Sequence, residues 1–185
     1  MANIKFILQY IKKPRTTGAI LPSSKFLARK MVKGINFQKA KCIVEYGPGT
    51  GVFTDKILAG RNETTEVFLM ERNQDFCGIL REKYKSTPRI HIIEDSAENI
   101  GEHIAKLGFT HADSIISGLP FASLPSEISE NILTQTKEFL SPGGYFITFQ
   151  YTLFKKKIFA KYFSNLKITR EFRNIPPAYV LTFQK

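Results

Sequence analysis

At 185 residues, with 43% hydrophobic side chains and a formal net charge of +11, the chain is long enough for one sheet covered by helices on both faces and too short for a second catalytic domain. Two cysteines, Cys42 and Cys77, have neither metal-ligand spacing nor the density of a disulfide scaffold, so both are expected as buried free thiols in a reducing compartment. No apolar run approaches the ~20 residues of a membrane span, and the apolar stretch from Ile4 to Ile11 is broken by Lys5 and Gln9 and lacks a cleavage site. The expected location is cytoplasmic, with any membrane association peripheral and on the inner face.

Charge is segregated along the chain. Residues 1–44 hold ten Lys or Arg and no acid, residues 45–140 hold nine basic and fifteen acidic, and residues 141–185 hold eight basic and one acidic. Cationic ends around an acidic middle predict a polyanionic partner met by the termini, with a merely solvated surface as the plain alternative.

In chain order, residues 2–12 read as a helix whose apolar face (Ile4, Ile7, Leu8, Ile11) is widened by Phe6 and Tyr10 and followed by Lys12, Lys13 and Arg15. Such a helix can lie in a lipid interface, clamp a substrate or pack on the protein's own sheet. Pro14 stops it, Thr17 to Ser24 is a turn-rich link, and Ser23 or Ser24 caps a helix from Lys25 to Lys33 with Phe26, Leu27, Met31 and Val32 as its apolar positions.

A buried strand over Cys42, Ile43 and Val44 then runs into Gly47, Gly49 and Gly51, and an amphipathic run from Val52 to Leu58 follows. Strand, glycine turn and helix in this order form a ligand cradle, because glycine lets backbone approach where any Cβ would intrude. The spacing is G-x-G-x-G rather than the G-x-G-x-x-G of dinucleotide sites, and Glu45 stands two residues before the first glycine. A pyrophosphate is repelled there, whereas the ammonium and sulfonium of S-adenosylmethionine suit an acidic neighbour. At this point the residues resemble the first motif of class I S-adenosylmethionine-dependent methyltransferases.

Glu66 to Met70 predicts a second strand ending at Glu71, twenty residues past Gly51, the offset at which a carboxylate meets ribose hydroxyls. A helix over Asn73 to Tyr84 and a third strand over Ile90 to Ile93 lead to Asp95 and Ser96. By the same resemblance Asp95 accepts from the adenine amine; it can also serve as N-cap of a helix over Ala97 to Leu107. Ser114 to Ser117 is the fourth strand, and Gly118-Leu119-Pro120-Phe121 leaves its carboxyl end, where the ligand crevice of an open α/β sheet lies. A helix from Glu127 to Leu140 stops at Ser141-Pro-Gly-Gly144, and Tyr145 to Tyr151 is a fifth strand. Leu153 to Phe163 interleaves lysines with aromatics and reads either as a grip on an anionic interface or as a peripheral helix with its aromatics in the core. Strands over Lys167 to Arg173 and Tyr179 to Phe183, joined through Asn174 to Ala178, close the chain. Alternating strands and helices make a parallel sheet the economical topology.

Thr17-Gly18, Pro22-Ser-Ser24, Glu45-x-Gly-Pro-Gly-Thr-Gly51, Ser117-Gly-Leu-Pro-Phe121, Pro142-Gly-Gly144, Gln150-Tyr151 and Pro176-Pro-Ala178, in that order, resemble bacterial phospholipid N-methyltransferases over nearly the whole chain. The resemblance implies one domain over 1–185, with a basic, helical, substrate- or membrane-facing segment over 1–34 and a Rossmann-like α/β core over 35–185. The core is expected as a three-layer sandwich on a seven-stranded, mostly parallel sheet whose last strand is antiparallel. S-adenosylmethionine is the implied donor, held by Thr17, Ser23, Glu45, Gly47, Gly49, Gly51, Glu71, Asp95, Ser96 and Ser117. Ser117, Gly118, Leu119, Pro120, Phe121 and Tyr151 are implied around the reacting groups, and phosphatidylethanolamine or a related amino lipid at an anionic membrane surface is the implied acceptor.

A second resemblance, to rRNA adenine dimethyltransferases, rests on the Gly-Pro-Gly turn and a loop that reads Asn-Leu-Pro-Tyr or Phe in that family. Gly118 replaces the asparagine whose side-chain carbonyl would hold an adenine amine. RNA methylation is therefore the competing reading, and non-catalytic cofactor binding is a third. Tyr10, Tyr151 and Tyr179 are expected contacts for an alkylated ammonium, which favours aromatic faces. His91, His103 and His111 are expected in surface or core roles, and no metal site is expected.

Overall fold

The computed structural model describes residues 24–153 and 156–185. The expected helix over 2–12, with Tyr10, and the predicted cofactor contacts Thr17 and Ser23 lie outside these residues. The described elements are α1 (Lys25–Met31), β1 (Cys42–Tyr46), α2 (Val52–Gly60), β2 (Glu66–Met70), α3 (Gln74–Lys83), β3 (Ile90–Ile93), a 3-10 turn (Ala97–Asn99), α4 (Ile100–Ala105), β4 (Ala112–Ser117), α5 (Ser126–Phe139), β5 (Leu140–Gln150), α6 (Lys156–Ala160), β6 (Asn165–Glu171) and β7 (Ala178–Gln184).

The strands form one seven-stranded sheet in the order β3-β2-β1-β4-β5-β7-β6. Pairings from β3 through β5 are parallel, and β7 runs antiparallel to both neighbours. This is the expected Rossmann-like, three-layer arrangement. Alternation along β1 sends Cys42, Val44 and Tyr46 into one core with Ile100, Ile104, Ile132 and Leu133, and Ile43 into the other with Leu27, Met31, Phe53, Ile57 and Leu80. Helices α4, α5 and α6 therefore cover one face while α1, α2 and α3 cover the other. Both cysteines are free and buried.

Several boundaries differ from expectation for physical reasons. α1 ends at Met31, and its buried positions are Leu27, Ala28 and Met31; Phe26 faces outward beneath the Arg173 guanidinium, 4.2 Å from the ring centroid. Ser24 is the cap, its Oγ accepting from the Leu27 N–H. The helix expected over Ala97 to Leu107 splits into the 3-10 turn and α4 and is over before Gly108, whose positive φ reverses the chain. β5 begins at Leu140, because Ala112 pairs with Leu140 before the register shifts and resumes at Ser114 with Tyr145; the Ser141–Gly144 turn bulges within the strand. β6 starts at Asn165, two residues before the expected Lys167. In the lysine-aromatic stretch, Phe159 and Phe163 are buried against Phe146 and Phe183, so these aromatics are core.

At the outer edge, Glu171 ties α1 to the β6–β7 turn. Its carboxylate, 3% exposed, accepts from the Arg173 backbone N–H and Nε at 3.0 Å and lies 3.3 Å from Lys30 Nζ. Asn174 Oδ1 accepts from the Ser24 N–H at 3.0 Å. Hydrogen bonding from Arg173, then Lys30, holds the Glu171 carboxyl down to about 2, below its ordinary 4.5. A depressed folded value gives stabilisation that is complete above 4.5 and lost as pH falls toward 2. Glu171→Gln is accordingly expected to melt below wild type at neutral pH, with the gap closing across that acid window; a gap of constant size in pH-dependent melts contradicts the clamp.

Candidate functional site

The site is built where two backbone corners press together beyond the carboxyl ends of β1 and β4. Gly47, at φ +63°, donates its N–H to Met70 O at 2.9 Å, and a Cβ there would meet Leu119 Cδ2 at 2.8 Å. Gly118 donates to Tyr46 O at 2.8 Å, and its Cβ would meet Gly47 O at 2.7 Å. At Gly47 the obstacle is the tip of the Leu119 side chain and it is the left-handed φ that favours glycine, whereas at Gly118 the obstacle is backbone. The glycine in place of asparagine at 118 is thus a packing requirement, since backbone oxygen cannot move aside as a flexible side chain can.

Gly49 is the opposite case. Its φ is +56° and no heavy atom lies within 4 Å of a Cβ built on it, so its Cα side faces open space. The Gly49 N–H donates to Glu71 Oε2 at 3.1 Å, which places the cradle beside the carboxylate at the end of β2. Gly51 is the N-cap residue of α2.

Three carboxylates are held differently. Glu71 Oε1 accepts from the Asn73 N–H at 2.9 Å; burial pushes its carboxyl up, opposed by backbone N–H bonds from Asn73, Gly49 and Arg72. Glu45 is fully buried: Oε2 accepts the Thr54 hydroxyl at 2.7 Å, while Oε1 has no hydrogen-bond partner among the described residues. Burial raises its carboxyl to about 8, with Thr54 opposing and the negative Asp55 and Glu71 adding to the rise. Asp95 accepts from the Ser96 N–H at 2.6 Å and Asn99 Nδ2 at 2.9 Å and faces His103 Nε2 at 2.8 Å; the His103 bond holds its carboxyl low. Ser96, rather than Asp95, caps the turn that follows, its Oγ accepting from the Glu98 N–H.

Of the loop residues, Ser117 is buried and its Oγ accepts from the Leu119 N–H at 3.2 Å, fixing the corner from within. Leu119 and Pro120 are half-buried beside Gly47. Phe121 points into the core, its ring edge-on to Phe159 at 5.2 Å, and anchors the loop. Tyr151 follows β5 with its ring edge-on to Phe149 at 5.6 Å, and the Tyr179 face carries the Arg170 guanidinium at 5.1 Å.

Sequence reasoning missed Thr54, Thr148 and the orientation of Gln150. Thr54 had one available signal, a hydroxyl in the first turn of the helix after Gly51. Thr148 pairs with Ser117, and Gln150 stands two residues further along the same face; Thr148 Oγ1 and Gln150 Nε2 are buried without partners among the described residues. Unpaired buried polar atoms next to a crevice are what an arriving polar ligand would satisfy.

This donor set fits S-adenosylmethionine. A cradle that a Cβ would fill, a carboxylate beside it and a second carboxyl with an unpartnered oxygen are complementary to a ribose and a cationic tail.

Comparison with known proteins agrees. The family model described as ribosomal RNA adenine dimethylase matches residues 12–169. The chain is 30% identical to ornithine lipid N-methyltransferase of Singulisphaera acidiphila over 176 residues, 94% of this chain and 91% of that protein. It is 35% identical to ribosomal RNA small subunit methyltransferase A of Coxiella burnetii over 72 residues, 39% of this chain and 27% of that protein, so this second match spans about a quarter of the relative. Among solved structures, N-methyltransferase NodS of Bradyrhizobium japonicum in complex with S-adenosyl-L-homocysteine superposes with a TM-score of 0.64 at 12% identity, covering 87% of this chain and 84% of that one; it shares the fold.

A folded carboxyl raised above its ordinary 4.5 costs stability as pH climbs from there through about 8. Glu45→Gln is expected to remove that decline in the free protein. A cation reaching Glu45 favours the carboxylate, so cofactor binding near neutral pH is expected to release a proton in wild type and none from this group in the variant. Calorimetry in buffers of different ionisation enthalpy checks this; a buffer-independent enthalpy for wild type contradicts it.

Proposed function

Since the chain belongs to the ribosomal RNA adenine dimethylase family and is an S-adenosylmethionine-dependent methyltransferase, we propose that its acceptor is the primary amine of an amino lipid, an ornithine or ethanolamine headgroup presented at a membrane surface. The observation that carries this reading is similarity along nearly the full length of an ornithine lipid N-methyltransferase, combined with a Gly118 corner too tight for the side chain that an adenine acceptor needs.

In this reading Glu71 receives the ribose hydroxyls, Gly49 gives backbone access, Glu45 faces the cationic tail and Asp95, braced by His103, receives the adenine amine. Bound S-adenosylmethionine supplies an electrophilic methyl on a sulfonium. The chain's own contribution is alignment and exclusion of water, worth several powers of ten in such displacements. Ser117 and Phe121 keep the Gly118–Pro120 corner rigid, one by accepting the Leu119 N–H and the other by its seat among Phe146 and Phe159. Thr148 Oγ1 and Gln150 Nε2 offer polar anchors for the headgroup. An ammonium near the ~10.4 of lysine has no lone pair, so the amine must enter as its minor neutral form or give up its proton in the dry crevice.

RNA methylation is the second reading, supported by the family model and by a surface of basic residues. The assay that separates them gives purified protein labelled cofactor with ornithine and ethanolamine lipids in anionic vesicles, and with ribosomal RNA. Label in lipid is expected. Label in RNA alone reverses the assignment, and binding without transfer to any acceptor leaves a cofactor-binding protein. Glu71→Ala is expected to weaken cofactor binding at least tenfold, about what loss of a charge-assisted contact costs. Gly118→Asn is expected to gain no activity on adenine and to destabilise by about 1–3 kcal/mol through overpacking against Gly47; adenine methylation by that variant contradicts the packing argument.

A further inference from the structure

The β6–β7 turn carries an exposed apolar tip set in cations at the same end of the sheet as the candidate site. Ser117 lies beside Thr148, and two residues further on Gln150, Tyr179 and Arg170 lie abreast across β5, β7 and β6. The turn from Phe172 to Pro177 therefore projects beyond the carboxyl ends of the parallel strands, between two and three strand spacings, or ~12 Å, sideways from β4. Phe172 is 67% exposed and Ile175 73% exposed, and both exceed every other exposed large apolar residue described.

Around this tip the charge is of one sign. The Arg170 guanidinium lies over Phe172 at 4.7 Å, Arg173 lies over Phe26 at 4.2 Å, and Lys30 donates to Arg170 O at 2.6 Å. The single acid of residues 141–185, Glu171, is buried under Arg173 and Lys30 and presents no negative charge outward. Phe159, Tyr162 and Phe163 of the other cationic-aromatic stretch of this half are spent on the core. Two largely exposed apolar side chains, one of them under the Arg170 guanidinium, in a turn that also carries Arg173, match a leaflet in one particular way. The apolar tips enter the acyl boundary while the arginines stay among anionic phosphates.

We propose that the β6–β7 turn, through Phe172 and Ile175 with Arg170 and Arg173, is a membrane anchor that inserts into an anionic leaflet and sets the crevice against it. This rests on the amino-lipid reading above and gives that reading its orientation, with the carboxyl end of the sheet facing the bilayer. RNA and a second copy of the chain are the competing occupants of the patch.

The chain contains no tryptophan, so Phe172→Trp places one reporter at the tip without background. Mixed vesicles containing anionic lipid are expected to shift the indole emission to the blue, with quenching by brominated acyl chains; indole that stays in water with vesicle-bound protein overturns the anchor. In a second arm, Phe172→Ser/Ile175→Ser is expected to weaken sedimentation with anionic vesicles on the order of 100-fold, the effect of two withdrawn apolar side chains, at unchanged melting temperature and cofactor affinity. Undiminished vesicle binding overturns the proposal. So does a fall in melting temperature, which shows the tip packed on the chain itself, a shift from dimer to monomer, or loss of RNA binding with vesicle binding intact. Failure of the catalytic reading is separate: indole insertion by Phe172→Trp with no methylation of amino lipid by wild type keeps the anchor and loses the acceptor, whereas transfer to detergent-dispersed lipid by wild type without indole insertion by the variant keeps the acceptor and loses the anchor.

Discussion

The contact between the Gly47 and Gly118 corners is the constraint on which the site depends. Gly118 excludes a side chain because the Gly47 carbonyl oxygen occupies its place, and Gly47 is held to glycine by its left-handed φ with the Leu119 side chain against it. Two βα units thereby meet at the carboxyl ends of adjacent strands, β1 and β4. Interiors packed at crystal density transmit such a constraint instead of absorbing it. Ser117 and Phe121 extend the lock into the loop, and Tyr84, with its hydroxyl 3.1 Å from Gly51 O, extends it to the start of α2.

Two buried carboxyls stand beside that frame. Burial makes the negative charge on Glu45 costly, and its unpartnered oxygen is compensated only when a donor or cation arrives. Glu71 is also buried, but the backbone N–H groups of Asn73, Gly49 and Arg72 oppose the rise. Both carboxyls are shifted upward by burial, and a cation arriving beside either one favours its charged form.

Much of this was legible in the sequence, because its signals are local. Gly47, Gly49 and Gly51 after a buried strand, Glu71 at the end of the next and Gly118 after the fourth are set by position along βα units, and the sheet follows from that alternation. The rest depends on contacts between segments far apart in the chain. No local pattern could show that Phe159 and Phe163 pack on Phe183 rather than face outward, or that Ser96 displaces Asp95 as the cap once His103 turns back toward it. The register shift that draws Leu140 into β5 comes from its pairing with Ala112. Thr54 acquires meaning only when α2 folds back over Glu45. Phe172 and Ile175 read as ordinary strand-end residues until the structure leaves them uncovered.

The central claim is that the open backbone at Gly49 is the seat of the methyl donor. The most direct measurement is equilibrium binding of S-adenosylmethionine to wild type and to Gly49→Val. No atom lies within 4 Å of the position a Cβ would take there, so the variant should fold at the cost of the left-handed backbone alone, about 1–2 kcal/mol. The account predicts that its affinity for the donor falls at least 100-fold. A folded variant that binds the donor as tightly as wild type would contradict it.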